Sequence, residues 1–249
     1  VIWGLMAYLL RRSSVAQDKS QDPNETAYRT NRSAPGLVLF VITMTFAITD
    51  WVMSLDPHWF SSIYGGWYVV GSGLIGLAFG TFIVTANRGA KPYSEFVNPK
   101  LTKDLGNMMF AFTMLWAYFT LSQFLIIWSG NLPEFTTYYA NRREGFWNIL
   151  GAFNVLFQFF LPFMLLLSPR VKANPVTLMR VAGLIFGMRI LDIYWNVMPM
   201  MRTTFHWTDL ASLIFVGAAW FSVFAAQAKK AALYPAHDNR LMEAAQHHA

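Results

Sequence analysis

The chain has 249 residues, of which 55% are hydrophobic and only 13% charged, whereas a soluble domain usually carries about a quarter charged residues. This balance excludes an ordinary soluble globular protein, because so few polar residues cannot cover an apolar core of that size. The absence of cysteine excludes disulfides and thiol or iron–sulfur ligation within the chain, and the net charge of +6, located in short loops between apolar runs, favours an anionic membrane surface over nucleic acid.

The N-terminal region divides into an apolar start and a polar stretch. Residues 2–10 are apolar but too short to cross a bilayer, and Arg11-Arg12 follows them as a membrane-exit anchor would. We therefore expect residues 1–12 to be the end of a truncated transmembrane helix, rather than a signal peptide or a short interfacial helix. Residues 13–34 are rich in Ser, Gln, Asp and Asn, which is typical of a flexible linker, here expected to be cytoplasmic.

Six later segments each hold the roughly 20 apolar residues that a helix needs to cross a hydrocarbon core of about 30 Å. Pro and Gly residues mark the junctions between them, as is usual for helix boundaries. The expected fold is all-α, a polytopic transmembrane helical bundle with six complete helices plus the end of a truncated seventh. The six-helix domain is predicted over residues 35–230, followed by a cytoplasmic tail at 231–249. The predicted spans cover residues 36–55, 65–87, 105–129, 146–168, 175–199 and 208–228.

The distribution of Lys and Arg predicts the orientation of these helices. Fourteen basic residues fall in one alternating set of loops and in the C-terminal tail, whereas the opposite loops carry only Arg142, Arg143 and Arg202. Because cytoplasmic loops are enriched in Lys and Arg, the tail is predicted to be cytoplasmic. The loops that follow the first, third and fifth predicted spans then face the outside. The fourteen are Arg11, Arg12, Lys19, Arg29, Arg32, Arg88, Lys91, Lys100, Lys103, Arg170, Lys172, Lys229, Lys230 and Arg240.

The fifth predicted span carries three ionisable residues, and each such residue inside a membrane is a functional candidate. Arg189 and Asp192 are three residues apart, which places them on one helical face within pairing distance. They could form a proton-relay or ligand-site pair, or a neutralised ion pair that locks helix packing, and the sequence favours neither. Arg180 lies nearer the cytoplasmic end, where its side chain is expected to reach the interface.

A second acidic group lies at the end of the first predicted span. Asp50 is placed a turn or more inside the helix, whereas Asp56 and His58 follow it at the outer boundary. An acidic residue near a histidine suits proton release or uptake, because His titrates near neutral pH. For Asp56 a turn-capping role is favoured. Trp59, Phe60 and Tyr64 would then belong to an interfacial aromatic belt.

The sequence offers little support for a metal or haem site. His58 and His206 are both predicted at the outer boundary rather than inside a span, whereas membrane b-type haems usually lie between histidines within spans. No metal ligands and no catalytic residues are therefore assigned.

Small and amide residues inside the predicted spans indicate how the helices pack. The glycines between Gly71 and Gly80 favour close helix approach rather than nucleotide binding. Most of the amides inside the spans are expected to form hydrogen bonds between helices; they are Asn107, Gln123, Asn148, Asn154, Gln158 and Asn196. Asn148, Asn154 and Gln158 could instead line a polar track.

Three segments together resemble a known family of membrane subunits. They are residues 50–65 (DWVMSLDPHWFSSIYG), 123–134 (QFLIIWSGNLPE) and 145–154 (GFWNILGAFN). They resemble the F subunit of alternative complex III, a bacterial quinol:cytochrome c oxidoreductase, which is related to the NrfD/polysulfide-reductase type of membrane anchor. Where that family has an acidic pair after Leu-Pro, this chain has Glu134-Phe135, which weakens any role for a second acid.

The resemblance implies a subunit of a respiratory complex in the bacterial inner membrane. Its partners would be an NrfD-like membrane subunit, an iron–sulfur subunit and a multihaem cytochrome c, so that haem c and Fe–S clusters belong to other chains and this chain binds no redox centre. A quinone or quinol is compatible with the family. Asp50, Asp56, His58, Arg189 and Asp192 are then candidates for a proton path or a quinone site. A stand-alone secondary transporter and a purely structural membrane anchor are the alternatives.

Overall fold

The structure is a computed structural model that describes residues 2–20, 24–202, 204–230 and 234. These residues form helices and turns, with no strand among them, which confirms the expected all-α class. Of the predicted tail, only Tyr234 lies within the described residues. In chain order the helices are α1 (Ile2–Ser20), α2 (Asn24–Trp51), α3 (Tyr64–Ala86), α4 (Tyr93–Phe96), α5 (Pro99–Gly130), α6 (Pro133–Ala140), α7 (Gly145–Asn154), α8 (Leu161–Leu167), α9 (Pro169–Ala173), α10 (Pro175–Val197) and α11 (Trp207–Ala228).

Five helical segments are long and apolar enough to cross a membrane: Ala27–Leu55, Tyr64–Ala86, Pro99–Gly130, Gly145–Leu167 and Trp207–Ala228. They correspond to five of the six predicted spans. The remaining one is α10, which has 23 residues but is less apolar because it carries three charged side chains. The structure therefore supports a multi-pass membrane protein without fixing the count at six.

The region expected to be a flexible linker is helical where the structure describes it. Helix α1 runs on past Arg12 to Ser20, and α2 begins at Asn24 and continues through Pro35. A proline removes one backbone hydrogen bond from a helix interior, but membrane helices accommodate it. The first predicted span was expected to begin at residue 36, but the helix that contains it begins twelve residues earlier, at Asn24. Composition alone missed these helices because polar residues outside a span can still form helical turns.

The chain divides into two compact units, one made of residues 1–42 and 205–249 and the other of Thr43–Thr204. In the first unit, the ring of Trp3 lies 6.0 Å from that of Phe40, so α1 packs beside α2. Helix α11 starts with a capping box, in which His206 accepts a hydrogen bond from the backbone of Thr208 and Asp209 accepts one from the backbone of His206. No side chain of α11 is buried.

The second unit is built around α3, α5 and α10. Helices α5 and α10 begin in the same way: Asn98 and Asn174 accept hydrogen bonds from the first free backbone amides, and a proline follows each of them. This is the expected chemistry of a helix start. The buried core includes Leu74, Met109 and Ile185, one from each helix.

Glycines allow α3 to approach α5 closely, as the sequence predicted. A methyl group on Gly73 would lie 2.4 Å from the ring of Phe112, and one on Gly66 would lie 2.7 Å from the ring of Phe119. A methyl group on Gly76 or Gly80 would have no atom of the described structure within 4 Å. Only part of the glycine series therefore serves helix packing.

The second unit has two ends that are distinguished by their loops. We call the one formed by residues 52–63, 131–144 and 198–202 the Arg142 end, and the one formed by residues 87–98 and 168–174 the Lys172 end. The charge distribution predicts that the Arg142 end faces the outside and the Lys172 end the cytoplasm.

Candidate functional site

A buried ion pair lies in the interior of the second unit. Arg189 and Asp192, both on α10, are each about 3% exposed, and the Arg189 guanidinium contacts the Asp192 carboxylate directly. The indole N–H of Trp116 on α5 donates to the same carboxylate oxygen at 3.1 Å. The predicted pairing is thus confirmed, and the carboxylate is also fixed by a neighbouring helix.

The guanidinium of Arg189 fits against the backbone of α3 at Gly71. A Cβ atom on Gly71 would lie 1.9 Å from a terminal nitrogen of Arg189, a separation that no real side chain allows. Only glycine at this position leaves room for the buried arginine. The Nε atom of Arg189 is buried and hydrogen-bonds to no described residue.

The ion pair continues into a chain of hydrogen bonds that runs toward the Arg142 end. The amide of Asn196, one turn beyond Asp192, donates to the Asp192 carbonyl at 2.8 Å and approaches its carboxylate at 3.4 Å. The hydroxyl of Tyr138 on α6 donates to the Asn196 side-chain oxygen at 2.6 Å. A continuous polar connection therefore links Asp192 to the loop region between α5 and α7.

Arg142 closes this chain of contacts at the end of α10. Its side chain is 3% exposed and donates to the backbone carbonyls of Trp195 at 3.2 Å, of Asn196 at 2.6 Å and of Tyr138. It also lies 3.6 Å above the ring of Tyr138. Carbonyls in the last turn of a helix lack intrahelical partners and carry the negative end of its dipole. A buried cation without a carboxylate partner in the described chain is thereby compensated.

Aromatic rings enclose Tyr138 where it meets Arg142. Trp59 is 2% exposed, and its ring stacks on that of Tyr138 with centroids 4.3 Å apart. Tyr64 contacts both Trp59 and Tyr138 edge-on. The expectation of an interfacial aromatic belt is therefore wrong for Trp59 and Tyr64, which are buried in the protein, whereas Phe60 is exposed. Burial raises the pKa of Tyr138 to about 12 against the lowering effect of Arg142, so its hydroxyl remains a donor at physiological pH.

The other candidate residues form no hydrogen bond with the described members of this network. Asp50 is exposed on α2, and its carboxylate hydrogen-bonds to no described residue. Asp56 accepts a 3.4 Å hydrogen bond from the backbone of His58 and caps the turn that leads to Trp59, as the turn-capping interpretation predicted. His58 is exposed. The structure thus joins Arg189 to Asp192 but does not join Asp50, Asp56 or His58 to them.

Metal-ligating residues do not cluster in the part of the chain that the structure describes. No group of three or more His, Asp or Glu side chains there could hold a metal ion. His206, one of the two histidines considered at the sequence level, serves as the N-cap of α11.

Two buried amides lie at a distortion of the helix between α7 and α8. Residues Val155–Phe160 form a π-helical segment, a distortion that occurs often at functional sites. Asn154 and Gln158 are buried there, and no side-chain nitrogen or oxygen of either hydrogen-bonds to a described residue. The expectation of interhelical hydrogen bonds holds for Asn196 but not for these two amides, and Asn148 is exposed.

Three members of the network were assigned no role from the sequence, and a fourth was expected only to form a hydrogen bond between helices. Arg142 counted only as a loop charge, Asn196 only as one of several span amides, and Trp116 and Tyr138 were not singled out. The useful signal was the spacing of Asn196 four residues after Asp192, which extends the polar face of α10 by one turn. Nothing in the sequence separates Arg142 from the adjacent Arg143.

No protein-family model and no curated protein matches this chain.

Replacing Arg142 by methionine tests its role at the end of α10. The change leaves buried carbonyls unpaired, so we expect the free energy of unfolding of the purified protein in detergent to fall by about 2–4 kcal/mol. The matched control is Arg143→Met, which alters an exposed side chain and should stay within about 0.5 kcal/mol of the parent protein. Equal effects of the two variants in a denaturant titration would contradict the buried role of Arg142.

Gly71→Ala tests the contact between α3 and the buried arginine. The added methyl group must displace the Arg189 guanidinium, and we expect destabilisation of about 1–3 kcal/mol, as for other overpacked sites. Gly76→Ala, on the same helix with free space around it, should be neutral or stabilise by up to about 1 kcal/mol through helix propensity. Thermal unfolding of both variants measures the difference, and a stabilised Gly71→Ala protein would refute the contact.

Proposed function

We propose that this chain is an integral membrane subunit of a respiratory quinol:electron-acceptor oxidoreductase of the alternative complex III type, and that it supports quinol oxidation. The proposal takes α10 as a sixth span. It places the chain in a bacterial inner membrane with a cytoplasmic C-terminus. Partner subunits of the NrfD-like, iron–sulfur and multihaem cytochrome c types would carry the redox centres.

Support comes first from sequence segments that lie together in the second unit. Residues 50–65 and 123–134, two of the three that resemble the family, meet through the 2.6 Å hydrogen bond from the Ser61 hydroxyl to the Gln123 side-chain oxygen. The third, residues 145–154, contacts α10 through the 2.9 Å bond from the Trp195 indole to the Trp147 carbonyl. The resemblance therefore covers residues that pack in one region.

The observation that carries the proposal is the buried Asp192 carboxylate and its polar connection to the Arg142 end. An ionisable pair inside a membrane domain is rare unless it is functional, and quinol oxidation must release protons at one face of the membrane. Asp192, Asn196 and Tyr138 would provide polar groups from the bilayer interior toward that face.

A structural anchor is the second candidate, and one observation favours it. Asp192 accepts hydrogen bonds from both Arg189 and Trp116, so the carboxylate is well compensated in place. A fully paired buried ion pair can serve helix packing alone. The two roles differ in what happens to an assembled mutant complex.

Affinity purification from membranes tests membership in a redox complex. A tag on the full-length protein should co-purify its partner subunits. In the proposal these subunits, and not this chain, bind c-type haem, so the reduced-minus-oxidised spectrum of the purified complex should show c-type haem. Isolation of the chain alone, without haem absorbance under mild detergent conditions, would refute the respiratory role and favour a transporter.

Asp192→Asn then tests the role of the buried carboxylate. Because asparagine keeps the shape but removes the charge, we expect assembly to persist and quinol-oxidation turnover to fall by roughly tenfold or more, within the range for lost proton transfer. Asp50→Asn is the matched comparison, since Asp50 is exposed on α2 and forms no hydrogen bond with the network. The turnover of the complex that carries Asp50→Asn should be unchanged. Loss of assembly with Asp192→Asn, or full activity of an assembled Asp192→Asn complex, would support the anchor role instead.

A further inference from the structure

The Lys172 end carries a basic site that the proposed function does not use. The short helix α9 docks on the start of α5 through two contacts. The hydroxyl of Thr102 donates to the carbonyl of Ala173 at 3.1 Å, and the ammonium of Lys172 donates to the side-chain oxygen of Asn107 at 2.7 Å. Lys172 is thereby held on the surface of α5 rather than free in solvent.

The path of the Lys172 side chain depends on a glycine. A Cβ atom on Gly106 would lie 2.7 Å from the Cγ atom of Lys172, so the aliphatic part of the lysine runs directly over the α5 backbone. Its ammonium group ends 5.8 Å from the ring of Phe110. The charge is therefore fixed in position, with only one of its three donors bonded to a described side chain.

A second lysine lies on the same face of α5. Lys103 precedes Asn107 by four residues, and residues at this spacing are neighbours on a helix surface. Lys103 is exposed, and neither it nor Lys172 forms an ion pair with a described carboxylate. Asp104 precedes Asn107 by three residues and therefore also borders this face, but its carboxylate forms no ion pair with Lys103 or Lys172.

The depth of this site follows from the length of α5. Its 32 residues extend over about 48 Å, well beyond a hydrocarbon core of about 30 Å. From Met108 to Gly130 the helix has no Lys, Arg, Asp or Glu, whereas Lys100, Lys103 and Asp104 all precede Asn107. Asn107 and the Lys172 ammonium therefore lie at the boundary between the hydrocarbon and the headgroups.

We propose that Lys103, Asn107 and Lys172 bind the phosphate of an anionic phospholipid headgroup. The ammonium groups of Lys172 and Lys103 supply the positive charge, and neither has a carboxylate partner among the described residues. The Asn107 amide nitrogen bonds to no described residue and supplies a further hydrogen-bond donor. The site lies at the depth of lipid phosphates, and its end of the protein is the one that the charge distribution assigns to the cytoplasmic leaflet, where anionic lipids are abundant. Exposed Met108, 49% accessible beside Asn107, offers apolar contact to an acyl chain.

Native mass spectrometry of the full-length protein, purified in its membrane assembly, tests this site. Short-chain phosphatidylglycerol is titrated against phosphatidylcholine, and the bound fraction is measured. We expect phosphatidylglycerol to bind more tightly, and each of Lys103→Gln and Lys172→Gln to weaken that binding about fivefold, as expected for loss of one basic residue near the headgroups. Lys91→Gln, which removes an exposed lysine 3.9 Å from Glu95, is the control and should leave binding unchanged.

Two further outcomes decide the proposal. Lys103→Gln changes an exposed residue only, so it remains informative if Lys172→Gln loosens α9 and impairs folding. Unchanged phosphatidylglycerol binding in Lys103→Gln overturns the site, and so does equal binding of phosphatidylcholine. If inorganic phosphate competes as strongly as the lipid at equal concentration, the site binds soluble phosphate and the lipid assignment is wrong.

Discussion

The packing of α3, α5 and α10 in the second unit depends on how these helices accommodate the Arg189–Asp192 ion pair in an apolar interior. Removing an arginine and a carboxylate from water is unfavourable by several kcal/mol for each ion, and the surrounding helices are shaped to offset this. Helix α3 supplies a glycine for the guanidinium, and α5 supplies an indole donor for the carboxylate. Helix α10 places both charges on one face, so three helices are tied together at a single buried position.

The same requirement explains why the network extends beyond the pair. Asn196 uses its amide on Asp192 and its oxygen on Tyr138, so a polar group on α10 meets one on α6. Arg142 in turn bonds to carbonyls that α10 cannot satisfy within itself. Each added member compensates a polar group that the previous one leaves in the protein interior, which is the usual behaviour of buried polar networks. The network therefore also positions the loop region that precedes α7.

Much of this architecture is predictable from the sequence, but the site is predictable only in part. Apolar runs of about 20 residues locate five spans, and the spacing of Arg189 and Asp192 predicts their pairing, because helical periodicity is a local property. The burial of Arg142 and of Trp59 is not local: it depends on loops that fold back over the helix ends. Composition assigns such loops to water, and for this reason an arginine and a tryptophan of the core were placed at the surface. Asp50 is the opposite case. Its position inside a predicted span made it a candidate for a buried site, but in the structure its side chain is exposed and does not belong to the network.

The π-helical segment Val155–Phe160 has a consequence for how the sequence could change over time. Each turn of i→i+5 bonding holds one residue more than an α-helical turn, so the helix from Gly145 to Leu167 contains one residue more than a regular helix between the same ends. Deleting one residue there would leave Trp147 and Leu166, buried on either side, facing their present neighbours. Elsewhere in a packed helix, a one-residue deletion turns all later side chains by about 100°. Length variation among related chains is therefore expected to concentrate at this segment, beside Asn154 and Gln158.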